Sequence, residues 1–262
     1  MFEPASDLPR LAKAHVPPRE PKRRPMEYHQ KPPTTDIEAA QSDTAEEELR
    51  ERLRSLHVFD CQPPEFDPDS VPTKPIELVR SWLIGAIDAD AREPHAMTLS
   101  TVDTDGRPSS RVLILKGLSD ERLQFASSRG SRKGRELSAT PWAAANLYWP
   151  ELGRQVRLTG RVLDGGPDDG AGDFLARGLE SRVESLTGRQ SEVLRDRADL
   201  DAALTEARAR LRPDPALVPD HWVLYQLEPN EIEFWHADRD RRHIRLRYTL
   251  DDGHWTRSLL WP

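Results

Sequence analysis

The amino-acid sequence predicts a mainly β protein of the α+β class, an antiparallel β-barrel with peripheral helices. Short apolar runs, some alternating with polar residues, recur through residues 97–261. Two dipeptides, Asp105-Gly106 and Asp252-Gly253, lie between neighbouring runs, and this dipeptide is typical of tight hairpin turns. Because no strand–helix–strand unit repeats along the chain, a parallel doubly wound sheet is disfavoured.

The segment before the barrel is expected to have little packed structure. Residues 1–43 predict a disordered tail, since residues 1–35 contain eight prolines and little apolar surface to offset the entropy of ordering. Residues 44–74 predict a short helix and then an extended arm. Thr44 is expected to cap that helix with Glu47, and the prolines of CQPPEFDPDSVPTKP keep the following arm extended.

Residues 75–262 predict the folded domain. Pro75 suits the first turn of a helix, because apolar residues follow at helical spacing in PIELVRSWLIGAIDADARE. SRKGRELSA predicts another short helix, and the polar, alanine-rich segment 167–211 predicts two or three surface helices. Strands are expected at MTLSTV, RVLILKGL, LQFASS, AAANLYW, RQVRLTGRVLD, HWVLYQLEPNEIEFWHA, RHIRLRYTL and HWTRSLLW.

Composition excludes several classes of function. The 262 residues carry a formal net charge of −7, so the whole chain is not a polycation seeking nucleic acid. Cys61 is the single cysteine, which rules out an intrachain disulfide and fits a reducing compartment. No apolar run approaches the length of a membrane span, and the first residues lack the order of a secretory signal. We therefore expect a cytoplasmic protein without membrane or nucleic-acid partners.

Common catalytic signatures are absent from the sequence. It contains no GxGxxG, P-loop, HExxH or GxSxG motif. Its eight histidines form no tight cluster, so no metal site is expected. What remains is a set of cations and polar residues at the ends of predicted strands.

The stretch QFASSRGSRKGREL is the most concentrated of these polar features. It contains four cations, Arg129, Arg132, Lys133 and Arg135, after the hydroxyl of Ser127 and before a predicted helix. Hydroxyls, a glycine turn, a helix N-terminus and cations can together hold a phosphate. A solvated turn before a surface helix explains the same residues, and the local pattern leaves both readings open.

Other candidates lie on the neighbouring predicted strands. Arg111 and Lys116 bracket RVLILK, and their spacing places them on opposite faces of a strand. They would serve different pockets or different parts of one ligand. Elsewhere, RQV carries Gln155, RQS carries Gln190, and EFW carries Trp235, an indole that could pack along a planar ligand or belong to the barrel core.

The ordered motifs RVLILK, GSRKGREL, RQVRLTG, RQS, EFW and RxH, ending in LLWP, resemble the pyridoxamine 5′-phosphate oxidase family. The resemblance covers roughly residues 63–262. It implies an FMN-binding split β-barrel that forms a homodimer, with the flavin at the subunit interface. It also implies an oxidase that uses dioxygen and releases hydrogen peroxide.

The resemblance also assigns roles to residues of this chain. The family motifs imply that the substrate is bound by Lys116, Arg177, Ser181, Arg241 and His243, and that Arg241 and His243 are catalytic over the flavin. The implied FMN-binding residues are Arg111, Val112, Leu113, Ile114, Lys116, Ser127, Arg132, Lys133, Gln155, Gln190, Ser191, Trp235 and Arg245.

Departures from the family pattern lie on the substrate side. Asp173 stands where members of the vitamin pathway carry a tyrosine for the substrate phosphate, and Ala126 replaces an aromatic residue. A carboxylate at residue 173 would repel a phosphate. The sequence is more similar to the branch that oxidises reduced phenazine carboxylates, which is therefore the preferred substrate class. Pyridoxine or pyridoxamine 5′-phosphate is the alternative, and a non-catalytic flavin- or heme-binding split barrel is a second alternative.

Overall fold

The computed structural model describes residues 36–58, 62–119 and 121–262, with side chains described from residue 46 onward. The chain divides into two compact units, one reaching to Leu56 and one starting at His57.

Helix α1 (Asp36–Ser55) belongs to the first unit. It begins at Asp36 rather than at Thr44, so the expected capping box does not start the helix. The residues between them are rich in alanine, glutamate and glutamine, which favour the helical backbone and extend the helix upstream. The disordered tail predicted for residues 1–43 lies, up to residue 35, outside the described residues.

The second unit alternates strands with short helices in the predicted order. Its helices are α2 (Pro75–Asp88), α3 (Arg132–Ala139), α4 (Pro167–Ala176), α5 (Leu179–Leu186) and α6 (Arg197–Leu211). Its strands are β1 (Ala96–Val102), β2 (Pro108–Ser119), β3 (Arg122–Ser128), β4 (Trp142–Trp149), β5 (Arg154–Asp164), β6 (Trp222–His236), β7 (Ile244–Asp251) and β8 (His254–Leu259). The segment 167–211 thus contains three helices, in agreement with the sequence prediction.

Six antiparallel strands close into a barrel. They follow the order β3-β2-β1-β4-β5-β6, and β6 pairs with β3 to complete the ring. Strands β7 and β8 extend the sheet beyond β6. This closed antiparallel arrangement confirms the barrel predicted from the sequence.

The two Asp-Gly dipeptides form the predicted hairpins. Gly106 lies in the β1–β2 turn and Gly253 in the β7–β8 turn, with φ of 79° and 78°. Such left-handed backbone is unstrained for glycine because it lacks a Cβ atom. The turns set the registers that align β1 with β2 and β7 with β8.

The barrel core is sealed by the arm before α2. Phe66 packs edge-on against Trp82 of α2, with ring centroids 5.1 Å apart. His236 donates from Nε2 to the carbonyl of Pro64 at 2.7 Å, and Tyr248 donates to the carbonyl of Pro72 at 2.8 Å. These contacts fix the extended arm along the barrel.

None of the helices in the described part of the chain has the length and apolar character that a membrane crossing requires.

Candidate cofactor and substrate site

A cavity of about 430 Å³ lies beside strands β2 and β3 and the α4–α5 region. Five of the residues implied by the family motifs for FMN line it, and so do three implied for the substrate, with Lys116 common to both sets. The lining residues are Leu113, Ile114, Lys116, Ala126, Ser127, Ser128, Arg177, Gly178, Ser181, Glu184, Ser185, Thr187, Gly188, Gln190 and Trp222. Residues far apart in the sequence therefore share one concave surface.

The turn between β3 and α3 brings Lys133 towards this cavity. Ser131 caps α3 by accepting a hydrogen bond from the backbone nitrogen of Gly134 at 3.1 Å. Lys133 then points back and donates from Nζ to Ser127 Oγ at 2.8 Å and to Gln190 Oε1 at 3.3 Å. We call Ser127, Ser128, Lys133 and Gln190 the phosphate seat.

Burial shapes the charge of the phosphate seat. Lys133 is only 6% exposed, and this burial, with the nearby charge of Arg111, lowers its pKa to about 8. The carboxylates of Glu184 and Glu136 act in the opposite direction. A buried ammonium without a direct carboxylate partner in the described structure favours an anionic ligand.

Ser128 supplies a test of whether a phosphate fits here. Its Oγ is buried and has no hydrogen-bond partner among the described residues, although Ser128 lines the cavity. A buried hydroxyl without a partner is unfavourable, and phosphate oxygens would accept its proton. The residues present therefore fit a phosphate group.

A second layer of charge supports the phosphate seat from α3. Glu136, buried below it, accepts hydrogen bonds from Arg132 Nε at 2.7 Å, from Ser109 Oγ at 2.7 Å and from Thr101 Oγ1 at 2.5 Å. Arg111 lies 3.4 Å from the same carboxylate. Glu136 therefore orients both arginines, a role that sequence analysis missed because Thr101, Ser109 and Arg111 lie far from Glu136 in the sequence.

Burial alone raises the pKa of Glu136. Hydrogen bonds from Thr101, Ser109 and Arg132, with the charge of Arg132, outweigh burial and lower that pKa to about 2. The carboxylate is therefore ionised across the physiological range.

The segment after α5 is tied to the start of α3. Ser191 adopts φ of 75° and accepts a hydrogen bond through Oγ from the backbone nitrogen of Arg132 at 3.1 Å. This contact brings the RQS motif to the GSRK motif, so that Gln190 reaches Lys133. The RQS and GSRK motifs, which are far apart in the sequence, therefore lie side by side.

The other end of the cavity is formed by β2, the start of α5 and the start of β6, with α4 behind them, and we call it the substrate end. Lys116 Nζ lies 3.3 Å from Asp173 Oδ1, and Trp222 donates from Nε1 to Asp173 Oδ2 at 2.9 Å. The guanidinium of Arg177 lies 4.2 Å from the ring centroid of Trp222. Lys116 and Arg111 thus serve different partners, as expected for opposite faces of a strand.

Arg177 is further held by α5. It donates to Ser185 Oγ at 2.5 Å, and Ser185 donates in turn to Glu184 Oε2 at 3.1 Å. Burial lowers the pKa of Arg177, while Asp173 and Glu184 oppose that shift. Ser181 and Glu184 both line the cavity, and Glu184 was not singled out from the sequence.

A separate group of predicted residues lies on the outer face of β5, β6 and β7, and we call it the outer group. Gln155 pairs with Trp235, and Trp235 pairs with Arg245, so the three are neighbours across the sheet. Gln155 donates from Nε2 to Asn146 Oδ1 at 2.6 Å. The ring of His243 lies 4.9 Å from that of Trp235.

The turn before β7 carries Arg241 and His243. The strand begins at Ile244, so His243 is not part of it, although the predicted strand RHIRLRYTL included this residue. Arg241 has φ of 62°, and His243 Nδ1 accepts from the backbone nitrogen of Asp238 at 3.0 Å. The Asp238 side chain accepts from two further backbone nitrogens of this turn, which lets the chain bend out of the sheet.

Arg245 is positioned by a buried carboxylate. It donates from Nε to Glu233 Oε1 at 2.8 Å and from NH1 to the carbonyl of Trp261 at 2.9 Å. Arg157 pairs with the other oxygen of Glu233. Burial alone raises the pKa of Glu233, but these two arginines hold it below its usual range.

The predicted site residues thus fall into two sets within one chain. No member of the outer group lines the cavity. Val112, also predicted to contact FMN, is 65% exposed on the outer side of β2 and does not line the cavity either.

Comparisons with known proteins identify the family. The model of the pyridoxamine 5′-phosphate oxidase family matches residues 83–211, and that of the pyridoxine 5′-phosphate oxidase C-terminal dimerisation region matches residues 222–262. A pyridoxine/pyridoxamine 5′-phosphate oxidase from Ectopseudomonas mendocina is 44% identical over 193 residues, which cover 73% of this chain and 90% of the relative. The chain belongs to the pyridoxamine 5′-phosphate oxidase family.

Solved structures agree with this family assignment. The structure of PhzG from Burkholderia lata in complex with tetrahydrophenazine-1-carboxylic acid is 36% identical, with a TM-score of 0.71, and covers 77% of this chain and 99% of that one. An FMN-binding, family-related protein from Nostoc punctiforme has the same fold, at 19% identity and a TM-score of 0.59, over 74% of this chain and 99% of that one. The split-barrel fold and the oxidoreductase class expected from the sequence are confirmed. FMN is the cofactor that membership of this family supports.

Proposed function

We propose that this chain is an FMN-dependent oxidase that oxidises a reduced aromatic carboxylate of the phenazine type, uses dioxygen and releases hydrogen peroxide. The phosphate seat is the observation that carries the proposal. A buried hydroxyl without a partner and an amide line one cavity, and the buried ammonium of Lys133 is hydrogen-bonded to Ser127 and Gln190 in its wall. FMN carries a single phosphate that these groups could hold.

Each charged residue near the phosphate seat has a proposed task. Lys133 and Ser127 donate to the phosphate, and Gln190 orients Lys133. Arg111 and Arg132 add positive charge and are held in position by Glu136. Leu113 and Ile114 offer apolar surface to the flavin along β2. When bound, FMN supplies the redox chemistry, accepting two electrons from substrate and passing them to dioxygen.

A homodimer explains why the predicted residues form two sets. The segment 222–262 matches a dimerisation region and contains most of the outer group. We propose that Gln155, Trp235 and Arg245 of one subunit complete the flavin site of its partner. Ser191, which accepts from the backbone nitrogen of Arg132, and Val112 on β2 contribute from the subunit that holds the phosphate seat. FMN then lies at the subunit interface.

The proposed substrate contacts combine both sets. Lys116, Arg177 and Ser181 hold the substrate at the substrate end of the cavity. Arg241 and His243 would orient the reacting part of the substrate. The hydrogen bond that His243 Nδ1 accepts from the backbone nitrogen of Asp238 holds the imidazole ring in place and leaves Nε2 as the nitrogen that could face the substrate.

Two substrate classes have specific support. The PhzG complex with tetrahydrophenazine-1-carboxylic acid, at 36% identity, and the Lys116–Asp173 pair favour the reduced phenazine carboxylate. The relatives named pyridoxine/pyridoxamine 5′-phosphate oxidase, including one from Paraburkholderia xenovorans at 40% identity over 75% of this chain and 93% of its own length, favour the vitamin B6 phosphate. The phenazine class is our first choice.

Visible spectroscopy of the purified protein tests the function. We expect yellow flavin bands that bleach under anaerobic conditions with a reduced phenazine carboxylate and return, with hydrogen peroxide, when air is admitted. Bleaching by pyridoxine 5′-phosphate alone would favour the vitamin pathway. Bleaching by neither substrate would favour a non-catalytic flavin-binding protein, and a colourless protein that takes up no FMN would refute the whole proposal.

Mixed dimers test the shared flavin site. Lys133→Met damages the phosphate seat and Arg245→Gln damages the outer group, so each homodimer should bind FMN weakly. If each flavin site takes Lys133 from one subunit and Arg245 from the other, the heterodimer has one site in which both residues are intact. The two chains are co-expressed, and the heterodimer is isolated through two different tags. FMN content near half of the wild-type value is expected. A heterodimer as poor in FMN as both homodimers would place the two residues in the same site of one subunit and contradict the proposal.

A further inference from the structure

The cavity has two ends with different charge balances. Around the phosphate seat, three cations, Lys133, Arg111 and Arg132, face one carboxylate, Glu136. Even when Glu184, whose carboxylate also acts on Lys133, is counted, the net charge there is one positive unit. A phosphate monoester carries nearly two negative charges at pH 7, so this end attracts it.

The substrate end has no excess of positive charge. Its two cations, Lys116 and Arg177, are accompanied by two carboxylates, Asp173 and Glu184. Asp173 lies 3.3 Å from Lys116, and its side chain is only 10% exposed, so water screens the pair weakly. The net charge at this end is zero.

Glu184 offsets the second cation. It faces the cavity and is linked to Arg177 through Ser185, whose Oγ accepts from Arg177 and donates to Glu184. A phosphate approaching Arg177 would meet the Glu184 carboxylate at the cavity wall, while the Asp173 carboxylate lies behind the wall, 3.3 Å from Lys116. Repulsion from both would offset the attraction of the cations.

We propose that Asp173 and Glu184 determine specificity by excluding a phosphate from the substrate end, so that the cavity accepts one phosphate, that of the cofactor. This inference rests on the proposed function and narrows it. The accepted substrate is a flat aromatic with at most a single negative charge, held by Arg177, and with a hydrogen-bond donor that meets the Glu184 carboxylate.

Paired ligands isolate the contribution of the phosphate. Pyridoxine and pyridoxine 5′-phosphate differ by that group alone, and each is titrated into the FMN-loaded protein while the visible flavin spectrum is followed. The measured quantity is the ratio of the two dissociation constants. In the wild type we expect the phosphate to improve affinity less than threefold.

Neutral variants should restore phosphate binding. Asp173→Asn keeps an oxygen that accepts from Trp222, and Glu184 is exposed, so Glu184→Gln leaves packing unchanged. We expect each substitution to raise the phosphate preference several-fold, and the double variant to raise it at least tenfold. Asp168→Asn, on the exposed first turn of α4, is the matched control and should leave the ratio unchanged.

The outcomes separate this inference from the proposed function. A wild type that already prefers the phosphate form tenfold, or a double variant with the same ratio as Asp168→Asn, would overturn the inference while the flavin remains bound. Failure of the wild type to bind FMN would instead refute the proposed function. If Asp173→Asn fails to fold, the ratio for Glu184→Gln alone decides the question.

Discussion

The phosphate seat and the substrate end lie in one cavity and both contain lysine and arginine, yet they present opposite environments to a ligand. At the phosphate seat Lys133 is bound to neutral groups, Ser127 and Gln190, and keeps its charge available. At the substrate end Lys116 is paired with Asp173. A cation that is bound to neutral groups can still attract an anion, whereas a cation already paired with a carboxylate attracts it much less. The partners of the cations, more than their number, therefore decide which anion a pocket accepts.

Among the substitutions that test this comparison, replacing Lys133 should have the largest effect, and the affected quantity is the affinity for FMN. Lys133→Met fills the same buried space without the charge, so the phosphate loses a charge-assisted hydrogen bond. We expect FMN affinity to fall about 100-fold, equivalent to about 2.7 kcal/mol. Fluorescence titration of FMN with the cofactor-free protein measures it.

Lys74→Met is the control for that substitution, because Lys74 is exposed and pairs with Glu121 away from the cavity. Unchanged affinity in both variants would mean that Lys133 does not hold the phosphate.

Glu136 should matter for stability. Glu136→Gln leaves Arg111 and Arg132 beside a neutral group and should lower the free energy of unfolding at pH 7 by about 2 kcal/mol. Since the folded pKa of Glu136 is about 2, the wild-type contribution is full above the unfolded value, about 4.3, and is lost as pH falls towards 2. Urea unfolding at several pH values measures both features.

Glu228→Gln provides the matched comparison, since Glu228 pairs with Arg122 in a largely exposed position and should contribute less than about 1 kcal/mol. An equal decrease in the free energy of unfolding in the two variants would show that the buried ion pairs of Glu136 stabilise the fold no more than an exposed pair does.

The pH dependence of FMN binding should report the charge of Lys133. Its pKa of about 8 means that the ammonium is present below pH 8 and is lost above it in the cofactor-free protein. Affinity for FMN should therefore be highest near pH 7 and fall by up to about tenfold at pH 9.

The same titration with Lys133→Met should be flat between pH 7 and 9. An equally steep fall in that variant would assign the pH dependence to another group.

Replacing the exposed cation Arg129 should have the smallest effect on the affinity for FMN. Arg129 pairs with Asp164 at 2.7 Å and does not line the cavity. We expect Arg129→Gln to change FMN affinity less than about twofold, as is usual for surface ion pairs. A tenfold loss would mean that the positive excess extends beyond Lys133, Arg111 and Arg132.

Local features of the fold were predictable from the sequence. The Asp105-Gly106 and Asp252-Gly253 turns form as expected because the backbone conformation of a tight turn depends on a few adjacent residues. The start of α1 and the turn around His243 were less predictable. A helix boundary and a strand end depend on competition between neighbouring conformations of similar free energy.

Partners of the candidate residues were not predictable in the same way. Glu136, Glu184, Glu233 and Asp238 attract no attention as single acidic residues in a chain with many. Each becomes important because the barrel brings it against an arginine, a serine or a turn.

The sequence alone predicts the barrel, the strands in their order along the chain, the motifs of the family and the short helix that presents Lys133. These follow from hydrophobic period, turn chemistry and capping, which act over a few residues. Tertiary structure alone decided that Lys116 faces Asp173, that Arg177 lies on Trp222, and that the outer group lies away from the cavity. Strand register and helix packing join distant residues, and the free energy of a charge depends on those neighbours.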